Sequence, residues 1–347
     1  MEKADYDPRQ TFSRQPETRP SSVDTAATRH ISLETIREAA RGIYDVVLRT
    51  PLVRLPAGPG GQEIYLKLET LQPIGSFKIR GALNAVRGLP ADRVAEGVWT
   101  VSAGNAAQGV ALAARVRGLA CSVLVMDTAP ATKLQAIERL GASIVKASYE
   151  ECWQAVVEHR SDRMRGHLVH PFDDDLFISG NGTIGLELVE DLPDVDAVVA
   201  PLGGGGLLAG IACALRALRP EAAVYAAEPE TAAPLAASFE AGRASYFEGW
   251  RPSFVDGAGG KSVIAGMWPL LREWVNESIV VTLDDAAQAM RLVAERVHVI
   301  AEGAAACAVA AALSPALVER GHRKIVAVVS GGNIDLSRFA QLVGACD

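Results

Sequence analysis

The 347-residue chain is short of the features that mark several functional classes. Aromatic side chains make up only 5% of it, the net charge is −7, and no basic patch is interleaved with aromatics. That combination excludes a nucleic-acid surface. Five cysteines, Cys121, Cys152, Cys213, Cys307 and Cys346, show no CxxC spacing. An odd, scattered set fits reduced thiols rather than a disulfide frame, and sets the expectation of a cytoplasmic protein. Six histidines form no HExxH pattern, and His167 and His170 stand three apart in strand-like surroundings. No metal site is expected from them. No apolar run is long enough to cross a bilayer, so no membrane partner is expected. The segment Met1–Asp7 lacks the apolar core of a signal peptide. Residues 1–29 are rich in Pro, Arg, Thr, Ser and Asp, and are expected to form a flexible leader.

Against these absences stands Gly75-Ser76-Phe77-Lys78-Ile79-Arg80-Gly81-Ala82. Lys78 opens an amphipathic run, Ile79 to Val86, after a Pro-Ile-Gly turn. A lysine at such a junction can act as a nucleophilic amine if it sheds its proton in a partly desolvated place. Phe77 and Ile79 are the residues expected to supply that desolvation. A lone lysine of this kind also fits a solvated helix face, so three further segments carry the weight.

Ser102-Ala103-Gly104-Asn105-Ala106 follows a short strand, Gly97 to Val101, and leads into a helix expected over Ala107–Val116. Small residues leave backbone N–H groups bare at a helix start, which suits a carboxylate. Asn105 adds an amide that both donates and accepts. Gly203-Gly204-Gly205-Gly206, followed by Leu207, joins the apolar strand Asp196–Pro201 to a helix over Leu208–Leu218. Such a glycine run makes a backbone cradle for a phosphate, with the helix dipole behind it. The strand Ile325–Val329 delivers Ser330 at its C-terminal end, where ligands sit in open α/β sheets.

Taken in order, these segments and the stretches His170-Pro-Phe-Asp-Asp174, Gly180-Asn-Gly-Thr-Ile-Gly-Leu-Glu187 and Ser330-Gly-Gly-Asn-Ile-Asp335 resemble the pyridoxal-phosphate enzymes of the tryptophan-synthase-β fold type, in the branch of threonine/serine dehydratase and serine racemase. The resemblance runs over roughly residues 32–338. It implies pyridoxal 5'-phosphate as cofactor, held by Lys78 as a Schiff base. It further implies Phe77 beside the cofactor, Asn105 on the ring hydroxyl, Ser330 at the pyridine nitrogen, and Gly203, Gly204, Gly205, Gly206 and the N–H of Leu207 on the phosphate. The loop Ser102, Ala103, Gly104, Asn105 and Ala106 is implied to take the substrate carboxylate. The implied activity is an ammonia-lyase turning a 3-hydroxy L-amino acid into a 2-keto acid and ammonia, in a homodimer or higher homo-oligomer.

The element order supports an α/β fold of open, mainly parallel twisted sheets in two lobes. Ser32 reads as a helix N-cap, Cys121–Met126 and Ser143–Lys146 as strands, and Thr132–Leu140 and Cys152–Arg160 as helices. A smaller lobe is expected over 97–171, inserted in a larger one made of 30–96 and 172–345; the family resemblance contributes to that boundary. Glu302 opens a run of small residues, Val299–Leu313. It is either a dipole-matched surface acid or an active-site carboxylate.

Two motifs compete. Gly204-Gly-Gly206-Leu-Leu-Ala209 fits the dinucleotide pattern, with Glu228 about twenty residues on at the end of the next strand. An NAD-dependent oxidoreductase is therefore an alternative, although it leaves Lys78, Asn105 and Ser330 unexplained. Gly259-Gly260-Lys261-Ser262 imitates the end of a P-loop, but Val255 stands where its first glycine belongs. A cofactor-binding protein without catalysis is a third class, which retention of Lys78 opposes.

Departures within the family narrow the activity. Racemases of the family carry a serine where this chain has Ala103, so dedicated racemisation is not expected, and a serine racemase-like enzyme is the alternative. Ala106 replaces the usual histidine after Asn105, which leaves the substrate side chain open. Some relatives bind a divalent cation through Glu and Asp after a Glu-Pro turn; here Glu228-Pro229 is followed by Pro234 at the second ligand position. The end at Asp347, soon after the last strand, sets the expectation of no C-terminal regulatory domain.

Overall fold

Long apolar runs in this chain become parallel strands covered on both faces. In the computed structural model, residues 29, 31–56 and 61–345 are described; the expected leader over 1–29 lies outside them apart from Arg29, as does Cys346. Two sheets form. The larger contains β1 (Leu52–Arg54), β2 (Glu63–Leu68), β7 (Ala197–Pro201), β8 (Ala223–Pro229), β9 (Glu277–Val281) and β10 (Lys324–Val329). Its order is β1-β2-β10-β7-β8-β9, parallel throughout except between β1 and β2. The smaller contains β3 (Val98–Val101), β4 (Cys121–Met126), β5 (Ser143–Ala147) and β6 (His167–Leu168), all parallel in the order β5-β4-β3-β6. Every residue of β7 and β8 is buried, as two-sided coverage requires.

Helices supply that coverage. In chain order they are α1 (Leu33–Ile43), α2 (Lys78–Gly88), α3 (Asn105–Arg117), α4 (Ala131–Arg139), α5 (Tyr149–Glu158), α6 (Asp175–Asp191), α7 (Gly206–Leu218), α8 (Pro234–Ala241), α9 (Trp268–Trp274), α10 (Leu283–Val297), α11 (Gly303–Ala312), α12 (Pro315–Glu319) and α13 (Leu336–Gly344). One face of the larger sheet packs on α10 and α11. The other packs on α1, α6, α7 and α9. The smaller sheet shares a core with α2, α3 and α4. All of α11 is buried, because its alanine-rich surface lets it lie close to the strands. The unit from Ile31 onwards holds both sheets.

Caps fix the helix starts. Ser32 accepts from the N–H of Thr35 at 3.1 Å, as its sequence position implied. Ser148 and Glu151 form a reciprocal capping box, so α5 begins at Tyr149 rather than Cys152. Helices α3 and α7 begin at Asn105 and Gly206, each two residues before the sequence expectation. Both open on residues of low helix propensity, which masked the first turn. Asn105 therefore stands at the first helical position and not in the preceding loop.

A buried ionic knot ties α2 and α6 to β2. The Arg80 guanidinium donates to Glu69 at 2.7 and 2.8 Å and to Glu187 at 2.6 and 3.0 Å. Lys67 Nζ reaches Glu187 at 2.6 Å and donates to the Thr50 carbonyl at 2.6 Å. These four charged residues are 0% exposed. Gly81 and Gly180 permit this crossing, since a Cβ at either meets Phe177 or the Arg80 carbonyl within 2.4 Å.

Candidate active site

The C-terminal ends of β10 and β7, the start of α2 and the start of α3 converge. Lys78 is the first residue of α2, and the Phe77 N–H before it donates to the Ser330 carbonyl at 3.0 Å. The loop after β10 thereby fixes where the lysine leaves the backbone. The Lys78 Nζ lies 5.3 Å from the Phe77 ring centroid and 5.2 Å from that of Phe177. Phe77 thus supplies desolvation as expected. The second apolar wall is Phe177 of α6; Ile79 instead packs in the core beneath. Burial among these groups lowers the Lys78 pKa to about 8, against an opposing pull from Glu302. The Nζ donates to the Pro171 carbonyl at 2.6 Å.

Glu302, the N-cap residue of α11, turns inward. Its Oε1 accepts from Asn105 Nδ2 at 2.8 Å, and Asn105 Oδ1 accepts from Asn333 Nδ2 at 2.7 Å. Asn333 also donates to the Ile74 carbonyl at 2.8 Å. This chain of amides links α11, α3, the loop after β10 and the turn before Lys78. Burial pushes the Glu302 carboxyl up to about 7, which the Asn105 hydrogen bond and the Lys133 charge oppose. Glu302 is thus an inward-facing acid, and Asn333 is a site residue the sequence did not single out. The signal for Glu302 was its standing alone as an acid in the run Val299–Leu313.

The glycine loop has the geometry of an anion cradle. Gly205 has φ +91° and caps α7 with no side chain, leaving the N–H groups of the first helical turn, Leu207 among them, for a ligand. The loop is packed so closely from behind that side chains are excluded. A Cβ at Gly204 meets the Phe172 ring at 2.1 Å, and one at Gly203 meets the Gly257 carbonyl at 2.6 Å. A cavity of about 80 Å³ lined by Gly203, Gly204, Phe172, Trp153 and Ser262 adjoins it. Ser330, 2% exposed, ends β10 between this loop and Lys78. In the Ser102–Ala106 segment, Ser102 Oγ accepts from the Gly104 N–H at 3.1 Å, and α3 starts without a side-chain cap. Its first-turn N–H groups are thus left without a side-chain acceptor.

The competing motifs find other uses. Strands β7 and β8 are parallel neighbours, as a dinucleotide fold requires. Yet Glu228 is 0% exposed. Its carboxylate accepts from the N–H groups of Leu235 and Ala236 at 2.8 and 2.9 Å and from Ser278 Oγ at 2.5 Å. No oxygen is left pointing outward for a ribose hydroxyl. Burial pushes this carboxyl up to about 7. Lys261, from the imitation P-loop, has its Nζ between the rings of Tyr149 and Trp250, at 4.2 and 4.3 Å. There it joins α5 to the segment before α9. Lys133 of α4 and Asp256 pair across the same divide.

A desolvated lysine, a bare-backbone phosphate cradle and a buried serine at the strand end fit pyridoxal phosphate. The sequence model of the family described as pyridoxal-phosphate dependent enzymes matches residues 43–331. The chain belongs to that family. It is 39% identical over 317 residues to the L-threonine ammonia-lyase of Thermotoga maritima, covering 90% of this chain and 78% of that protein. It is 36% identical to the catabolic L-threonine dehydratase TdcB of Staphylococcus aureus, over 92% of this chain and 94% of that protein. The solved structure of maize serine racemase superposes with a TM-score of 0.83 at 34% identity, covering 89% of this chain and 96% of that one. The fold is thus the fold type II of pyridoxal-phosphate enzymes, and the cofactor is pyridoxal phosphate rather than NAD.

Proposed function

We propose that this pyridoxal-phosphate enzyme is an ammonia-lyase for 3-hydroxy L-amino acids, with L-threonine and L-serine as first candidates, releasing a 2-keto acid and ammonia. The observation that carries it is one desolvated amine, Lys78, together with a methyl at Ala103 where racemases of the family carry a serine hydroxyl. Lys78 is the base for Cα proton removal, and position 103 supplies no hydroxyl to carry a proton to the opposite side.

Each group has a task in this scheme. The glycine loop and the Leu207 N–H bind the phosphate. Asn105, oriented by Glu302 and Asn333, would hold the ring hydroxyl, and Ser330 would hold the pyridine nitrogen. The first-turn N–H groups of α3, with the Ser102–Ala106 segment, hold the substrate carboxylate. Pyridoxal phosphate, when bound, spreads the charge left at Cα when its proton departs. The Lys78 amine, neutral above about pH 8, takes that proton and carries it. The Cβ hydroxyl leaves as water, so the substrate loses one water; hydrolysis of the resulting enamine returns a water and yields the keto acid and ammonia. Phe77 and Phe177 keep solvent from the amine.

A serine racemase-like activity is the second reading, favoured by the likeness to maize serine racemase. Ala103 speaks against it. The division into a lobe over 97–171 and a lobe of 30–96 with 172–345 is part of the proposal, supported by a separate sheet whose strands lie between Val98 and Leu168. So are a cytoplasmic location and a homodimeric or higher assembly, for which sedimentation of the purified chain is the check. The deciding experiment is keto-acid release from a panel of 3-hydroxy amino acids, with chiral chromatography of the remaining amino acid. Keto acid in large excess over D-serine is expected. Substantial D-serine, or no keto acid from any substrate, overturns the proposal.

A further inference from the structure

Lys78 has one polar contact at its amine, the Pro171 carbonyl, and the turn that presents this carbonyl is built around His170. The His170 ring is 2% exposed. Its Nδ1 accepts from the Asp173 N–H at 2.8 Å and from the Phe172 N–H at 3.4 Å. A nitrogen that accepts carries no proton, so the proton sits on Nε2, which donates to the Val156 carbonyl of α5 at 3.1 Å. The His159 ring stacks on it at 4.3 Å and 17°. His159 Nε2 in turn meets Asp173 Oδ2 at 3.2 Å. The imidazole is therefore held on both edges and one face, and it closes the turn over residues 170–173 from inside. Pro171, at the apex, has no N–H, and its carbonyl points outward to the lysine.

We propose that His170 is a positioning residue for Lys78: as the Nε2–H tautomer it closes the 170–173 turn, so that the Pro171 carbonyl holds the lysine amine whenever it is free of cofactor. The inference rests on Lys78 being the cofactor-bearing amine, and not on which amino acid is the substrate. Losing the Nδ1 acceptor removes the partner of both N–H groups that close this part-buried turn, so the turn opens. The groups facing His170 are Val156 of α5, His159 at the C-cap of that helix, Phe172 and Asp173 of its own turn, and Lys78 of α2. Burial first, then His159, bring the His170 pKa down to about 4, which keeps the ring neutral across the working range.

A carbonyl that accepts from an ammonium favours its charged form. Opening the turn therefore lowers the Lys78 pKa further. The test compares His170→Asn, whose Oδ1 can stand in for the Nδ1 acceptor, with His170→Gln, whose amide lies at the Nε2 end. The readout is competitive acetylation of the full-length chain stripped of cofactor, with the Lys78 peptide followed by mass spectrometry against pH. Turnover does not enter, so failure of the ammonia-lyase assignment leaves this test intact. The expected result is a midpoint about one pH unit lower in His170→Gln, equal to a roughly fivefold rise in free amine at pH 7, with His170→Asn close to wild type. Any other pattern between two folded variants overturns the proposal. Should either variant not fold, nitrogen NMR of histidine-labelled wild type decides: a proton on Nε2 upholds the proposal and a proton on Nδ1 overturns it.

Discussion

Lys78 and Arg80 stand two residues apart at the start of α2, and the molecule treats their charges in opposite ways. Both are withdrawn from water. At Lys78 the neighbours are two phenyl rings and a carbonyl, and burial lowers the pKa to about 8. At Arg80 burial also disfavours the charge, but the carboxylates of Glu69 and Glu187 outweigh it and the pKa rises. One helix turn thus carries a cation that can give up its proton and a cation that cannot. The difference lies in the guanidinium's intrinsically higher pKa and in the carboxylates that raise it further, not in the depth of burial. A reactive amine needs a dry place without a directly paired acid. A structural cation needs the acid, because an unpaired buried charge is strongly destabilising.

The contrast breaks most sharply at Lys78. Lys78→Arg and Lys78→Ala should each lower keto-acid release by at least about 10³-fold, since guanidinium does not deprotonate and alanine offers no amine. Urea unfolding of Lys78→Ala should stay close to wild type, because no ion pair is lost. Wild-type turnover in either variant removes Lys78 from its role.

Arg80→Met reverses the pattern. It leaves Glu69 without its cationic partner and Glu187 with Lys67 alone, and should destabilise the fold by about 3–5 kcal/mol. Replacing Arg80, Glu69, Glu187 and Lys67 together by apolar residues should recover most of that loss, since no unpaired charge then remains in the knot. If the single variant unfolds at the wild-type urea midpoint, the knot does not bear on stability.

Glu302 sharpens the comparison, since it is an acid near Lys78 that does not pair with it. Its pKa is raised from 4.5 to about 7. The folded state therefore holds a proton that the unfolded state has released between those values, and stability contributed by this group is lost as pH rises through 7. Glu302→Gln should remove that loss, so the variant gains on wild type above pH 7 in thermal melts. It should also reduce turnover about tenfold or less, because a glutamine oxygen can still accept from Asn105. A melting profile that falls through pH 7 as in wild type separates Glu302 from this linkage.

The smallest effect is expected at Ala103. Ala103→Ser adds a hydroxyl in the substrate loop and should raise the ratio of D-serine to pyruvate several-fold from a low base, read by chiral chromatography with a parallel keto-acid assay. An unchanged ratio means that position 103 does not face the reacting carbon.

Much of the site was legible in local sequence, because its parts are local devices. The glycine run, the lysine after a tight turn and the serine at a strand end are each determined by a few adjacent residues, and their order matched a family. Helix starts at Asn105 and Gly206 were misplaced because low-propensity residues are recruited there by backbone shape. Asn333 lay inside a quoted motif, yet nothing in its neighbours indicated a bond to Asn105. Phe177 reads as one more core residue in a helix, and only the crossing of α2 over α6 brings its ring to the lysine.

By itself the sequence determined that this chain has two parallel sheets' worth of apolar strands, one lysine in a turn before a helix, and a backbone cradle for a phosphate. It could not decide how far, or in which direction, the surroundings would move the pKa values of the neighbouring cations at 78 and 80. Both sit in the same helix turn with similar flanks. Glu187, which charges Arg80, and Pro171, which receives Lys78, lie about a hundred residues further along the chain. Which of them meets which cation is set by how α6 crosses α2. The pKa of a side chain follows from its contacts, and those contacts exist only once the distant segments have packed.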